Sequence, residues 1–351
     1  MSAAQRRMRF GRQSLRRPRG VTVVNVASDE CDVLVIGAGV SGLTTAVCLA
    51  EAGLRAVIRA EQPPERTTSV AAGALWSPHL VEQGYRVQVW GRQTFAEFER
   101  LAEDAATGVR MASGVQAAKI TAELPDWAGS VPGLRACRGG ELPADYLAGW
   151  RLTVPLVEMP VYLGYLARRF ATAGGKVELA GVGSLAEAAA GARAVANCAG
   201  IGARHLVPDP LVTPVRGQAV IVRNPGITEF FVDIGEDTRE GSSDLLYFFP
   251  HPAIVVLGGT QEHGSWELSP DPHTAQRIVD RCAAVAPRLR NAEVIAHRVG
   301  LRPVRPKIRL EAERLPSGTL VGHNYGHGGA GITMSWGCAR DLTRMMANEL
   351  S

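Results

Sequence analysis

The 351-residue chain has no run of about 18 apolar residues, so no helix that crosses a membrane is encoded. Its six cysteines, Cys31, Cys48, Cys137, Cys198, Cys282 and Cys338, include no CxxC and no short spacing. That pattern argues against a disulfide framework or a metal site and leaves buried, reduced thiols. Acids are missing from the first 20 residues, which carry seven arginines: Arg6, Arg7, Arg9, Arg12, Arg16, Arg17 and Arg19. With a net charge of +4 for the whole chain, the remainder stands at −3, mildly acidic and without a basic face for nucleic acid. The head also lacks the apolar centre of a secretory signal and reads as a disordered extension over residues 1–29.

What is present starts at Val33–Leu43, VLVIGAGVSGL. Four apolar or β-branched residues, Val33 to Ile36, read as a buried parallel strand, and Leu43–Glu51 reads as the helix after it. Gly37, Gly39 and Gly42 stand between them in GxGxxG spacing. The first permits a tight turn, the second a close backbone approach to a pyrophosphate, and the third close packing of helix on strand, while the helix N-terminus offers free N–H groups. A second strand is expected at Leu54–Arg59, and Glu61 follows about 20 residues after the glycines, where an acid binds ribose hydroxyls. Dinucleotide binding follows, with FAD and NAD both open at this point.

Thr67–Pro78 is a small-residue loop able to lie against a flat ring. Helices are expected at Val87–Ala105, Pro160–Thr172, Ser184–Ala190, His273–Ala286 and Cys338–Asn348, and strands at Lys176–Leu179 and Ala194–Cys198. The strand ending at Cys198 runs into Ala199–Gly200, repeating the pattern of the N-terminus, which suggests that two domains interleave. Asp126–Trp150 reads as connectors and short strands. Four β-like runs, Gln218–Arg223, Glu229–Asp233, Leu245–Phe249 and Ala253–Leu257, predict an antiparallel sheet. Two dense stretches close the chain: Gly300–Arg309, GLRPVRPKIR, and Gly322–Gly337, GHNYGHGGAGITMSWG. The latter reads as a second glycine loop feeding a helix, with His323, Asn324, Tyr325 and His327 marking a site.

VIGAGVSGL, AAGALWSP, LLYFFP, GLRPVRPKIR and HNYGHGGAGITMSWGCA, in that order from about Cys31 to the C-terminus, resemble the D-amino-acid oxidase family, which includes D-aspartate oxidase. The resemblance implies an α/β (α+β) fold, a Rossmann-type FAD-binding domain interleaved with an antiparallel substrate domain. The expected division is 30–80, 155–215 and 300–351 for FAD, and 81–154 and 216–299 for substrate. It implies oxidation of D-amino acids by hydride transfer from Cα to flavin N5, with O2 as acceptor and a 2-oxo acid, ammonia and hydrogen peroxide as products. No metal and no nucleic-acid or membrane partner is expected, and a homodimer is possible within the family.

The resemblance also assigns residues. Arg302 matches the arginine that binds the substrate carboxylate, where a planar two-pronged donor suits the ligand. Tyr247 matches the tyrosine that meets the same carboxylate, and Gly329 the glycine whose carbonyl takes the amine. Cofactor positions are Gly37, Ala38, Gly39, Val40, Ser41, Gly42, Glu61, Thr67, Thr68, Ala72, Gly73, Val182, Cys198, Ala199, Gly200, Arg302, Gly328, Gly329, Gly331, Ile332 and Thr333. His323 and His327 read as structural or flavin-adjacent rather than as bases. Phe230 and Val232, with Tyr247, point to neutral or apolar side chains; Arg216 and Arg223 keep an acidic substrate open, and a glycine or sarcosine oxidase or a non-catalytic flavin binder remain as alternatives. Two departures stand out. Ser243 occupies the position of a second active-site tyrosine carried on a lid in some members, and the final residues, Asn348–Ser351, are not a peroxisomal Ser–Lys–Leu address, so a bacterial cytoplasm is the expected location.

Overall fold

The computed structural model describes residues 31–77, 84–120, 129, 131–234 and 244–350; the Arg-rich head, Ser243 and part of Asp126–Trp150 lie outside them. In chain order the strands are β1 (Cys31–Ile36), β2 (Ala56–Ala60), β3 (Val109–Ala118), β4 (Arg135–Ala136), β5 (Ala148–Val157), β6 (Lys176–Leu179) and β7 (Ala192–Asn197). They continue with β8 (Thr213–Arg223), β9 (Phe230–Asp233), β10 (Asp244–Pro250), β11 (Ile254–Thr260), β12 (Glu262–His263), β13 (Val294–Arg314) and β14 (Leu320–His327). The helices are α1 (Val40–Glu51), α2 (Tyr85–Leu101), α3 (Met159–Thr172), α4 (Leu185–Ala189), α5 (Ala203–Leu206), α6 (Pro272–Val285) and α7 (Gly331–Leu350).

These strands form one sheet in the order β4-β5-β3-β9-β10-β11-β8-β13-β14-β7-β1-β2-β6, with β12 added beside β8. At one end β6, β2, β1, β7 and β14 pair in parallel. All six residues of β1 are buried, as expected of a strand flanked by parallel neighbours and covered on both faces. Toward the other end β13, β8, β11, β10 and β9 pair antiparallel. The 21 residues of β13 join the two regimes, its first half on β8 and its second on β14. Residues 155, 215 and 300, where the expected domains change over, all lie within strands.

Three expectations change. Helix α1 starts at Val40, so Ser41 and Gly42 belong to its first turn. Two long strands, β3 and β5, come in addition to those expected: VRMASGVQAA carries Arg110, Ser113 and Gln116 without strict alternation, and β5 starts inside the stretch that reads as connectors. The second glycine loop is not a loop over Leu320–His327, which is a strand with every residue buried. Its glycines serve close packing. A Cβ on Gly322 would come within 2.7 Å of Leu342, and one on Gly337 in α7 within 2.3 Å of the Trp90 backbone. No described helix is long and apolar enough to cross a membrane.

Candidate active site

The glycine turn after β1 is shaped by contacts that leave no room for side chains. Gly37 has φ +103°, and a Cβ there would lie 2.6 Å from the Cys198 carbonyl oxygen; one on Gly42 would lie 1.8 Å from the Gly37 oxygen. The turn is thereby wedged against Cys198–Ala199, and Gly200 takes φ +57° immediately after. The Val40 N–H donates to Ser69 Oγ at 2.9 Å, so the Thr67–Gly73 segment is tied to the start of α1. At the far end of β2, the exposed Glu61 flanks Gly181, where an added Cβ would stand 3.7 Å from the carboxylate, next to Val182. A glycine cradle, a helix N-terminus and an acid therefore lie at the C-terminal ends of the parallel strands β1, β2 and β7, the donors and the acceptor that a dinucleotide requires.

The second cluster is built on the antiparallel part of the sheet. Register pairs Tyr247 with Gly258, Gly258 with Ala219, Gly217 with Gly300, and Val215 with Arg302, so these residues share one face. The face is floored by glycine. A Cβ on Gly258 would fall 1.8 Å from the Tyr247 ring, and one on Gly217 would fall 2.5 Å from the Arg302 guanidinium. Across from them, Gly73 packs against Phe249 and Tyr247, and Gly300 against Ala71 and Thr68. The loop expected to line a flavin thus faces the two residues expected to hold a carboxylate.

Arg302 donates to the Thr260 carbonyl at 2.9 Å and has no carboxylate partner among the described residues. Burial lowers its pKa, an effect the neighbouring Tyr247 opposes, and burial raises that of Tyr247, an effect Arg302 opposes. Both remain half-buried. A protonated phenol beside a desolvated guanidinium presents donors to an anion. Two further arginines of GLRPVRPKIR have carboxylate partners: Arg305 pairs with Asp209 at 3.0 Å, and Arg309 with Glu311 at 2.6 Å.

Gly329 is exposed in the turn Gly328–Ala330, which follows β14 where His327 pairs with Val304, two residues past Arg302. Gly331 opens α7, and a Cβ added there would stand 3.9 Å from the Val40 side chain, so the starts of α1 and α7 converge. Ile332 is buried, and Thr333 exchanges hydrogen bonds of 2.8 and 3.0 Å with the backbone of Ser77, committing its hydroxyl.

The histidines are occupied. Asn197 accepts from the Ala199 N–H and donates to His323 Nδ1 at 3.2 Å, which leaves His323 Nε2 to donate to Glu313 at 2.9 Å. His327 faces Asn324 at 2.9 Å, and burial pushes it down to about 4. Both are neutral, buried structural groups.

Phe230 is 1% exposed, its ring edge against Phe249. The aromatic that covers Tyr247 is Phe249, stacked on it at 4.5 Å, a residue absent from the expected site although period-two alternation in LLYFFP puts it on the same face. Arg216 is buried on the other face, bound to Glu262, Gln218 and the carbonyls of Glu267 and Ser269. Arg223 is exposed and pairs with Glu293. By alternation Arg223 shares the face of Gly217 and Ala219, but it lies at the far end of β8 from Val215, the partner of Arg302. All six cysteines are free thiols, and no group of His, Cys, Asp and Glu among the described residues could hold a metal ion.

The family described as FAD dependent oxidoreductase matches residues 32–345. A D-amino-acid oxidase of Rubrobacter xylanophilus is 47% identical over 319 residues, covering 91% of this chain and 96% of its own. One of Streptomyces coelicolor is 47% identical over 321 residues, covering 90% and 98%. Among solved structures, the glycine oxidase of Bacillus cereus superposes with a TM-score of 0.73 at 19% identity, over 91% of this chain and 96% of its own, a likeness of fold.

Proposed function

The chain belongs to the D-amino-acid oxidase family of FAD-dependent oxidoreductases, and from that membership we propose that it oxidises D-amino acids with neutral or apolar side chains. The observation that carries the reading is Arg302 beside Tyr247, two donors with no carboxylate partner among the described residues, on a face opposite the Thr67–Gly73 loop. The Gly37–Gly42 turn, Glu61, Val182 and Cys198–Gly200 suit the adenosine diphosphate portion of FAD. Thr67, Thr68, Ala72, Gly73 and Gly328–Thr333 suit its ring portion. FAD bound there would supply the hydride acceptor, with O2 as the final electron acceptor.

The protein's own contribution is orientation. Arg302 binds the α-carboxylate in two-pronged fashion, the Tyr247 hydroxyl adds a third hydrogen bond, and the Gly329 carbonyl accepts from the amine. With both polar groups of the Cα held, its hydrogen is presented to one side only, which selects the D enantiomer. No general base is needed, in keeping with the neutral, fully bonded His323 and His327. Phe249, Val232 and Tyr247 form an apolar wall for the side chain, and the division into an FAD domain (30–80, 155–215 and 300–351) and a substrate domain (81–154 and 216–299) belongs to the same reading.

The test is peroxide release by the purified flavoprotein with D- and L-amino acids, glycine and sarcosine. Turnover of D-Val, D-Leu or D-Met, without their L forms, is the expected result. Turnover confined to D-Asp and D-Glu would overturn the preference, and turnover mainly of glycine or sarcosine would overturn the substrate class.

A further inference from the structure

Three consecutive carbonyls of β11 are each engaged by a side chain. Cys282 Sγ lies 3.9 Å from the Gly258 oxygen and 3.4 Å from that of Tyr247; Arg281 donates to the Gly259 oxygen at 3.2 Å; Arg302 donates to that of Thr260 at 2.9 Å. They come from opposite sides. Helix α6 packs behind the sheet, where Ile278 and Cys282 meet Val220, Phe248 and Leu257, whereas Arg302 and Tyr247 stand in front, over Gly217 and Gly258.

Arg281 also forms an ion pair with Asp244, the first residue of β10, and Arg277 lies 3.7 Å from the other oxygen of that carboxylate. Asp244 pairs with Thr260, but the β10–β11 register shifts between Asp244 and Tyr247. The backbone ladder is therefore irregular in the stretch that leads to Tyr247. Arg281 spans it, one nitrogen on β10 and another on β11. Its side chain and that of Asp244 are 26% and 28% exposed, so the pair is partly shielded and holds its geometry better than a fully exposed one.

We propose that Arg281 is a positioning residue for substrate binding: from behind the sheet it ties β10 to β11 across the irregular register, fixing Tyr247 on its glycine seat and, through the adjoining carbonyl, the aim of Arg302. The inference rests on the reading of Tyr247 and Arg302 as the carboxylate-holding pair. It does not require Arg281 to touch substrate.

The experiment compares holoenzymes of Arg281→Met, Arg281→Lys and Asp244→Asn with the parent and with Arg302→Leu. The readouts are kcat and KM for D-Val, and the affinity for benzoate, a carboxylate with no oxidisable Cα–H, followed through the flavin absorbance. Arg281→Met is expected to keep its flavin, to raise KM and weaken benzoate about tenfold, and to change kcat less. Arg281→Lys, which retains a cation for Asp244, is expected to recover part of both. Parental KM and benzoate affinity in Arg281→Met would overturn the proposal, as would a fall in kcat with both unchanged. If Arg281→Met does not hold flavin, Asp244→Asn decides in its place: a several-fold rise in KM supports the proposal and a parental KM overturns it. Arg302→Leu separates the two levels, because unchanged benzoate binding there would overturn the carboxylate reading itself.

Discussion

Replacing Gly217 by alanine tests the Arg302 assignment without touching Arg302. An added Cβ would meet the arginine Nη1, Nη2 and Cζ at 2.5, 2.6 and 2.7 Å, where ordinary contact begins at 3.4 Å. The guanidinium must therefore rise by about 0.8 Å or swing aside, and its 2.9 Å bond to Thr260 is stretched or lost. Because the clash is with the end of a flexible side chain rather than with backbone, the fold can absorb it. A displacement near 1 Å in a substrate-orienting group lowers the rate about 100-fold, which corresponds to about 2.7 kcal/mol of transition-state stabilisation. The assay is kcat/KM for D-Val by peroxide release, with flavin content and Tm measured on the same protein. Gly191→Ala serves as control, since nothing lies within 4 Å of its added Cβ. A Gly217→Ala protein with parental kcat/KM and parental benzoate affinity would refute the argument that the glycine floor sets the arginine.

Gly42→Ala forces a Cβ to 1.8 Å from the Gly37 carbonyl, a backbone atom with nowhere to go, so the purified variant should lack most of the visible flavin absorbance and melt lower; full flavin content would contradict the cradle. Glu61→Ala should raise the dissociation constant for FAD while leaving KM for D-Val in place, and equal FAD affinity would remove Glu61 from the cofactor site. Asp32 is held at about 2, chiefly by the side-chain hydrogen bonds of Arg55 and then by its backbone N–H. A folded value below the unfolded value of about 3.9 stabilises the protein above pH 4, and that increment is lost as pH falls toward 2. With Arg55 64% exposed, the increment is about 1 kcal/mol, and urea midpoints of Asp32→Asn should fall less steeply over this window than the parent's.

The nucleotide half was legible because its signal is local. A buried strand, three glycines and a helix follow one another within a score of residues, a pattern readable before the remote contacts of Gly37 with Cys198 and of Gly39 with Ser69 are known. In the second half the deciding contacts are remote. Arg302 and its neighbours in GLRPVRPKIR look alike as a string, yet which cation faces the site depends on strand alternation, on a register shift between Val304 and Arg309, and on Gly217, far back in the chain. The glycine stretch before α7 reads as an open loop for the same reason. The partners of His323, Asn324 and His327 are Asn197, Thr45 and Ser41, supplied by elements much earlier in the sequence. With those partners in place the segment is a buried strand rather than an open loop.

The bridging role of β13 bears on how the protein is made. Emerging from the ribosome, the chain has β8 and β7 long before β13 and β14, so each sheet segment waits with an open edge until residues 294–327 arrive. Neither half can close early on its own, and the last stretch of synthesis completes both together. A nonsense codon or proteolytic cut between β12 and β13 therefore removes more than the C-terminal helix. It leaves two unpaired strand edges exposed in one molecule, which makes such fragments candidates for aggregation and chaperone capture rather than for partial activity.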